Sequence, residues 1–164
     1  MRPLILKCKH LEGAWLCRPL AELLVHVRGT QLRNWSPDVV IGVPRFYRRR
    51  ILTGYDQGRS LAVQVGRLLR VRCRFVRYPV VRQRRTRVHV GMSPTERVRN
   101  VRGAFRVRQR SVVQGRRVLL VDDVMTSGAT LFELARTLKR SGAVAVFAAT
   151  VARAGSFSAP SQTT

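Results

Sequence analysis

The residues best suited to chemistry form one short stretch late in the chain. The apolar run Val118-Leu119-Leu120-Val121 is followed directly by two carboxylates, Asp122 and Asp123. A turn of hydroxyl-bearing and small residues, Thr126-Ser127-Gly128-Ala129-Thr130, comes next, and a helical pattern begins right after it. This order predicts a buried strand that ends in two acids, then a turn, then a helix.

Each part of this stretch has a physical use. Free N–H groups at a helix start, with the helix dipole behind them, make an anion site. Small residues let the backbone approach a phosphate closely, and hydroxyl side chains add donors. The two carboxylates repel a phosphate, so they suit sugar hydroxyls or Mg²⁺. The sequence therefore predicts a pocket for a ribose carrying a 5′-phosphate, built from Asp122, Asp123, Thr126, Ser127, Gly128, Ala129 and Thr130.

Other interpretations share parts of this pattern. A Ser/Thr/Gly turn is a common structural cap of a helix. Two acids after a strand also open a response-regulator receiver domain, but such a domain needs a phospho-acceptor Asp and then a Lys. After Asp123 the chain has only Glu133 as an acid and Lys139 as a lysine. The Walker A, G-x-G-x-x-G and H-E-x-x-H patterns are absent.

The stretch from Asp122 to Thr130 resembles the phosphoribosyl pyrophosphate (PRPP) motif of type I phosphoribosyltransferases. Two other segments are similar to the competence protein F (ComF) family. The first contains Val43-Pro44, a basic loop, Gly54-Tyr55-Asp56-Gln57 and Leu61-Ala62. The second contains Arg85-Thr86, His89, Arg97, Asn100-Val101 and Ala104-Phe105. The similarity runs from about Lys7 to Arg153, which is nearly the whole chain.

The resemblance implies an α/β fold of the type I phosphoribosyltransferase kind, a parallel sheet flanked by helices with a long flexible loop and a reduced N-terminal hood. It implies Mg²⁺-dependent binding of PRPP and transfer of phosphoribose to a nitrogen nucleophile. The 5′-phosphate would lie on the Thr126–Thr130 turn. The ribose hydroxyls would lie near Asp122 and Asp123, which would hold Mg²⁺ directly or through ribose or water.

The resemblance also assigns roles to two loops. The loop after the first core strand, with Val43, Pro44 and Arg45, would lie by the pyrophosphate. The flexible loop from Arg82 to Gly103 would close over the site and exclude water that would hydrolyse the sugar. Its implied site residues are Arg85, Thr86, His89, Arg97 and Asn100, of which Arg97 would join Asp122 and Asp123 as a catalytic residue.

The chain departs from the family pattern at several places. Thr53 stands where the family has Arg, Asp56 where it has Asn, and His89 where it has Gln. The zinc ribbon usual at the family's N-terminus is expected to be missing. Asp56 also suits the N-cap of a helix, and a lone His is more often structural than catalytic. These departures leave PRPP binding expected and turnover open, and the acceptor is not predicted.

The elements that position these residues follow from hydrophobic spacing. Helices are predicted around Leu16–Val27 (four turns at most), Leu61–Leu69 and Leu131–Leu138, the last stopped by Gly142. Strands are predicted at Asp38–Pro44, Val71–Phe75, Val118–Val121 and Val144–Val151. This alternation predicts α/β with a parallel core in one domain, residues 1–153, followed by a disordered tail, residues 154–164.

The Arg82–Gly103 segment has no place in that alternation. Within it, Ser93-Pro94-Thr95-Glu96 is a capping-box pattern with Pro at the first helical position, so a short helix is predicted there.

The charge balance is extreme, with 32 basic against 8 acidic residues and a formal net charge of +24. Such a field attracts polyanions, although an arginine-biased composition has the same effect without a ligand. The clusters Arg48–Arg50, Arg84-Arg85 and Arg116-Arg117 motivate an alternative function, a non-catalytic protein that binds single-stranded nucleic acid in DNA uptake. No apolar run is long enough for a membrane span. The three cysteines lack C-x-x-C spacing, so a reducing cytoplasm is expected.

Overall fold

Helices and strands alternate along most of the chain in the computed structural model, which describes residues 11–44, 46, 55–70, 78–87 and 92–154. A 3₁₀ turn (Leu11–Leu16) leads into the first helix. The elements are α1 (Cys17–Asn34), β1 (Val39–Gly42), α2 (Gln57–Leu68), β2 (Val80–Arg82), α3 (Pro94–Val101), β3 (Phe105–Val107), a 3₁₀ turn (Arg110–Val112), β4 (Arg117–Met125), α4 (Ala129–Arg140) and β5 (Ala145–Arg153).

The main sheet is parallel, as the sequence predicts. Its strand order is β1-β4-β5, and both pairs run in the same direction. Side chains of the central strand β4 alternate between two cores. Leu119 and Val121 pack with residues of α1 and α2 on one face. Val118 and Leu120 pack with residues of α4 and the β2–β3 region on the other. Helices therefore cover both faces of a continuous apolar strand.

Helix α1 is longer than predicted, because it has 18 residues where four turns at most were expected. Its buried face continues through Gly29 and Leu32. The apolar spacing did not predict this last part because glycine has no apolar side chain. Leu23 and Val27, which belong to the predicted stripe, face outward with 38% and 62% of their surface exposed.

The other two predicted helices are present and begin earlier than their apolar stripes. At α2, Asp56 is the N-cap, and its side chain accepts a hydrogen bond from the Arg59 backbone N–H at 3.2 Å. The alternative structural role of Asp56 is thus confirmed. Helix α4 ends as predicted before Gly142, which has a φ of 95°.

A second sheet of two strands is distinct from the main sheet. β2 and β3 pair antiparallel, with Arg82 opposite Phe105. These three-residue strands were not predicted. They form the base from which the Arg82–Gly103 segment extends. The predicted short helix within that segment is α3, and its capping box is complete: Ser93 Oγ accepts from the Glu96 N–H, and Glu96 accepts from the Ser93 N–H.

Some predictions fall outside the described residues. These are the strand at residues 71–75, the basic loop of residues 45–54 apart from Phe46, and the tail from residue 155 onward. In the part of the chain that the structure describes, no helix has both the length and the apolarity needed to cross a membrane.

Candidate functional site

The central strand includes the two acids and extends beyond its predicted bound at Val121. β4 runs to Met125, with Asp122 beside Thr150 and Met125 beside Arg153 of β5. Because ladder pairing uses backbone groups, polar side chains do not end a strand whose neighbour is equally long. The acids therefore have fixed positions in the last part of a strand instead of lying in a loop.

Strand geometry directs the two carboxylates to opposite faces of the sheet. Asp122 follows Leu120 on the α4 face, and Asp123 follows Val121 on the α1–α2 face. The Asp123 N–H donates to Asp122 Oδ1 at 3.0 Å, and the Val124 N–H donates to Asp123 Oδ1 at 2.8 Å. Asp123 is only 9% exposed, whereas Asp122 is half-buried. The two acids thus flank the strand end instead of forming a side-by-side pair.

The hydroxyl-bearing turn is open to solvent. It leads into Gly128, whose backbone adopts a left-handed conformation that favours glycine. Thr126 and Ser127 are exposed, and Gly128 is the N-cap of α4 with a φ of 75°. No side-chain hydrogen bond caps this helix. Its first N–H groups are therefore available to an anion. Ala129 and Thr130 belong to the helix itself, which begins two residues before the predicted start at Leu131.

The end of β1 lies at the same edge of the sheet. The Val43 N–H donates to the carbonyl of Val121 at 3.0 Å, directly before Asp122. Val43 and Pro44 are both buried. The structure thus brings two of the three predicted pyrophosphate-loop residues beside the acids, while Arg45 lies outside the described residues.

Two glycines hold this edge against α2. A Cβ on Gly42 would lie 2.0 Å from the Gly58 carbonyl oxygen, and one on Gly58 would lie 2.5 Å from the Val43 carbonyl oxygen. Backbone therefore packs on backbone where β1 ends and α2 begins. The sequence analysis did not identify this contact.

Arg82 is a site residue that the sequence analysis missed. It is half-buried at the end of β2, and its guanidinium lies 5.6 Å from the centre of the Phe105 ring and donates to Thr86 Oγ1. Burial lowers the pKa of Arg82, and the negative charge of Asp122 opposes that change. The guanidinium stays charged, and it lies close enough to Asp122 for the negative charge of that carboxylate to act on it. In the sequence, Arg82 could have been identified as a site candidate because it directly follows the apolar pair Val80-Val81 and begins the long loop.

The predicted flexible-loop residues are held mainly by each other. Asn100 Oδ1 accepts from the Arg87 N–H at 3.0 Å, and its Nδ2 donates to the Arg87 carbonyl at 2.9 Å. Arg97 Nε donates to the Met92 carbonyl at 3.0 Å. Arg85 is exposed, and His89 lies outside the described residues. These contacts fold the segment on itself, and they do not connect Arg97 or Asn100 to the acids of β4.

Glu133 ties this segment to α4 and was not singled out from the sequence. Its carboxylate accepts the Gly103 N–H at 2.8 Å and pairs with Arg136 at 2.7 Å. Burial raises the pKa of Glu133, but the hydrogen bonds from Arg136 and Gly103 outweigh burial, so the net pKa lies below its ordinary value. The end of the loop is thereby anchored to the helix that follows the hydroxyl-bearing turn.

Within the described ranges, no group of three or more His, Cys, Asp and Glu side chains could hold a metal ion. Mg²⁺ does not need such a group, because it retains waters and binds through one or two carboxylates together with substrate phosphates. The carboxylates at the end of β4 fit that mode. Their opposite directions favour one carboxylate per ion over chelation by both.

Comparisons with known proteins agree with this architecture. The family model "Phosphoribosyl transferase domain" matches residues 17–163. DNA utilization protein YhgH of Escherichia coli O6:H1 is 36% identical over 153 residues, covering 89% of this chain and 64% of that protein. Competence protein F of Haemophilus influenzae is 33% identical over 143 residues, covering 85% of this chain and 62% of that protein.

A solved structure described as the allosteric regulatory enzyme of purine biosynthesis matches with a TM-score of 0.54 and 24% identity, over 82% of this chain and 25% of that one. At that identity the likeness concerns the fold alone. The sequence relatives and the family model are the evidence for family membership. The chain spans less than two thirds of those relatives' length. The chain belongs to the phosphoribosyl transferase domain family, and its homologues include competence protein F, as the resemblance predicted.

Proposed function

We propose that this chain binds Mg²⁺-PRPP and transfers its phosphoribosyl group to a nitrogen nucleophile. One observation carries the proposal: the open N-terminus of α4 and its exposed hydroxyl turn follow directly on a strand whose end bears Asp122 and Asp123. A helix start that suits an anion and two carboxylates thus lie one short turn apart in the chain, which supports a ligand with both a 5′-phosphate and sugar hydroxyls.

In the proposed reaction, the C1–O bond to pyrophosphate breaks and a C1–N bond to the acceptor forms. Positive charge develops on the ribose, and Asp122 and Asp123 would stabilise it from the two sides of the strand end, where the ribose hydroxyls would bind. Bound Mg²⁺ would neutralise charge on the leaving pyrophosphate. The turn Thr126–Thr130 would fix the 5′-phosphate, and Arg82 would supply a positive charge near Asp122.

Calorimetric titration with Mg²⁺-PRPP tests the binding step. Asp122→Asn and Asp123→Asn should each weaken binding at least tenfold, since each removes about 1.5–3 kcal/mol of charge-assisted hydrogen bonding. Glu22→Gln is the matched control, because Glu22 is an exposed carboxylate on α1. Wild-type protein that produces no heat with Mg²⁺-PRPP would refute the proposal.

Pyrophosphate release tests the transfer step. The screen would offer PRPP with ammonia, purines or pyrimidines and would measure pyrophosphate against a blank without acceptor. Release above that blank with one acceptor class identifies the substrate. PRPP binding without release for any acceptor would contradict transfer and leave a binding function.

A second candidate function is binding of single-stranded nucleic acid in DNA uptake, with or without catalysis. It is favoured by the net charge of +24 and by the relatives named DNA utilization protein and competence protein F. Affinity for an oligonucleotide should then fall steeply with salt, since each neutralised phosphate releases counterions. A flat or absent affinity at low salt would exclude this candidate.

A further inference from the structure

A groove of about 440 Å³ runs along the C-terminal half of α4, outside the proposed PRPP site. One wall is formed by α4 and the other by the segment from Arg102 to Val107. None of the residues from Asp122 to Thr130 lines it. Arg140, at its far end, lies about 16 Å along the helix axis from Ala129. The groove is therefore a separate feature of the molecule.

The groove carries unbalanced positive charge. Arg102, Arg106 and Arg140 are exposed, and none of them pairs with a carboxylate in the described part of the chain. The single acid in the lining, Glu133, is already bound to Arg136 and to the Gly103 N–H. An anion in this groove would meet arginine side chains whose donors are not used by acids.

An exposed aromatic ring extends the same surface. Phe132 is 67% exposed and lies one helical turn before Arg136, which in turn lies one turn before Arg140. A row of arginines beside an aromatic side chain is typical of surfaces that bind single-stranded nucleic acid, because the ring stacks on an unpaired base while arginines contact phosphates. A base pair within a duplex presents no such face.

Helix stability alone does not account for this arrangement. A basic residue in the last turn of a helix complements the helix dipole, which would explain Arg140. It does not explain Arg102 and Arg106, which lie on the opposite wall, or an exposed phenylalanine.

We propose that Arg102, Arg106 and Arg140 bind the phosphodiester backbone of a single DNA strand and that Phe132 stacks on one of its bases. This inference rests on the second candidate function and gives it a location. It does not depend on PRPP binding.

Fluorescence anisotropy with a labelled oligo(dT) 20-mer, measured over a series of NaCl concentrations, tests the proposal. The double variant Arg106→Gln/Arg140→Gln should lose two phosphate contacts and reduce the slope of log K against log salt by roughly 1.4. The control Arg28→Gln/Arg33→Gln removes the same charge from exposed positions on α1 and should change the slope far less.

A second pair of variants tests the aromatic ring. Phe132→Ala should weaken oligo(dT) binding by roughly 5- to 100-fold. Trp15→Ala, which removes a ring that is 68% exposed outside the groove, should leave binding unchanged. Calorimetry should give the Arg106→Gln/Arg140→Gln protein the wild-type affinity for Mg²⁺-PRPP.

The outcomes separate the groove from the function on which it rests. If the groove and control double variants reduced the salt slope equally, the groove would be excluded as the binding site. Nucleic-acid binding would then occur elsewhere on the surface. No binding of oligo(dT) by wild-type protein at low salt would overturn both. A duplex 20-mer that binds as tightly as the single strand would overturn the role of Phe132 and the preference for unpaired DNA.

Discussion

At the scale of single residues, the site depends on glycines as much as on acids. Gly42 and Gly58 let the end of β1 touch the first turn of α2, and that contact sets where Val43 and Pro44 lie relative to Asp122. A side chain at either position would push backbone apart at the edge of the sheet that bears the proposed site.

Gly58→Ala should therefore destabilise the protein by about 2 kcal/mol, because the new methyl would overlap the Val43 carbonyl oxygen. Urea unfolding followed by circular dichroism measures this change. Gly29→Ala is the control: its methyl would meet mainly the movable guanidinium of Arg33, at 3.1 Å. That variant should be neutral or more stable by up to about 1 kcal/mol, since alanine favours helix. Equal stability of the two variants would contradict the argument.

Glu133 gives a second prediction at this scale, one that depends on pH. Its pKa is lowered in the folded protein, so its ionised form stabilises the fold above the ordinary pKa of 4.5. That contribution is lost as the pH falls through the folded pKa. At pH 7, Glu133→Gln should cost about 1–3 kcal/mol, the usual range for a charge-assisted hydrogen bond.

Urea unfolding of both proteins over a series of pH values from 7 down to 2 measures this dependence. The difference between wild type and Glu133→Gln should shrink as the pH falls below 4.5, because the wild-type carboxyl gains a proton as the pH passes through its lowered pKa. A difference that stays the same over the whole series would show that the ionised carboxylate is not the source of the stability.

At the scale of elements, the Arg82–Gly103 segment is fastened at its base. The Gln83 N–H donates to the Ala104 carbonyl at 2.9 Å, and Arg84 donates to the carbonyls of Asn100 and Arg102. Asn100 adds two bonds to the Arg87 backbone. The two arms of the segment thus form a stem that carries α3.

Asn100→Ala should loosen this stem without unfolding the protein. Hydrogen exchange of residues 83–87 should become faster, while the global free energy of unfolding should change by no more than about 1 kcal/mol, since the lost bonds are exposed. Hydrogen exchange with mass spectrometry measures both arms. Asn34→Ala, at an exposed amide at the end of α1, is the control and should leave the stem unchanged. Unaltered exchange in Asn100→Ala would disprove the fastening role.

The elements with long apolar runs were predictable, and those built from pairing alone were not. Val118–Val121 and the stripe of Leu131, Leu134 and Leu138 specify β4 and α4 through burial, which their composition displays. β2 and β3 have three residues each and take their structure from one another across the intervening segment. No local pattern encodes such pairing.

The same distinction applies to the candidate site. The acids and the hydroxyl turn were identifiable because they are contiguous, from Asp122 to Thr130. Arg82 meets Asp122 only through the fold, and Gly58 meets Gly42 in the same way. The boundary at Val121 was wrong because β5 pairs with β4 as far as Met125. Partners distant in sequence decided each of these features.

At the scale of the whole molecule, repulsion between like charges is the dominant electrostatic feature. The chain has 32 basic and 8 acidic residues. Ion pairs in the described ranges include Arg18–Glu22 and Glu133–Arg136. Because basic residues outnumber acidic ones fourfold, most arginines have no acid to pair with. A net charge this large opposes the compact state, because folding brings the charges together.

Salt should therefore stabilise this protein. Raising NaCl from about 10 mM to about 300 mM shortens the Debye length from roughly 30 Å to below 10 Å and screens most of the repulsion. If screening contributes on the order of 1–2 kcal/mol, the melting temperature should rise by about 2–8 °C. Differential scanning fluorimetry measures it, with sucrose at matched osmolality as a control for solute exclusion. A melting temperature that falls with NaCl would mean that attractive ion pairs outweigh the repulsion, and it would contradict this argument.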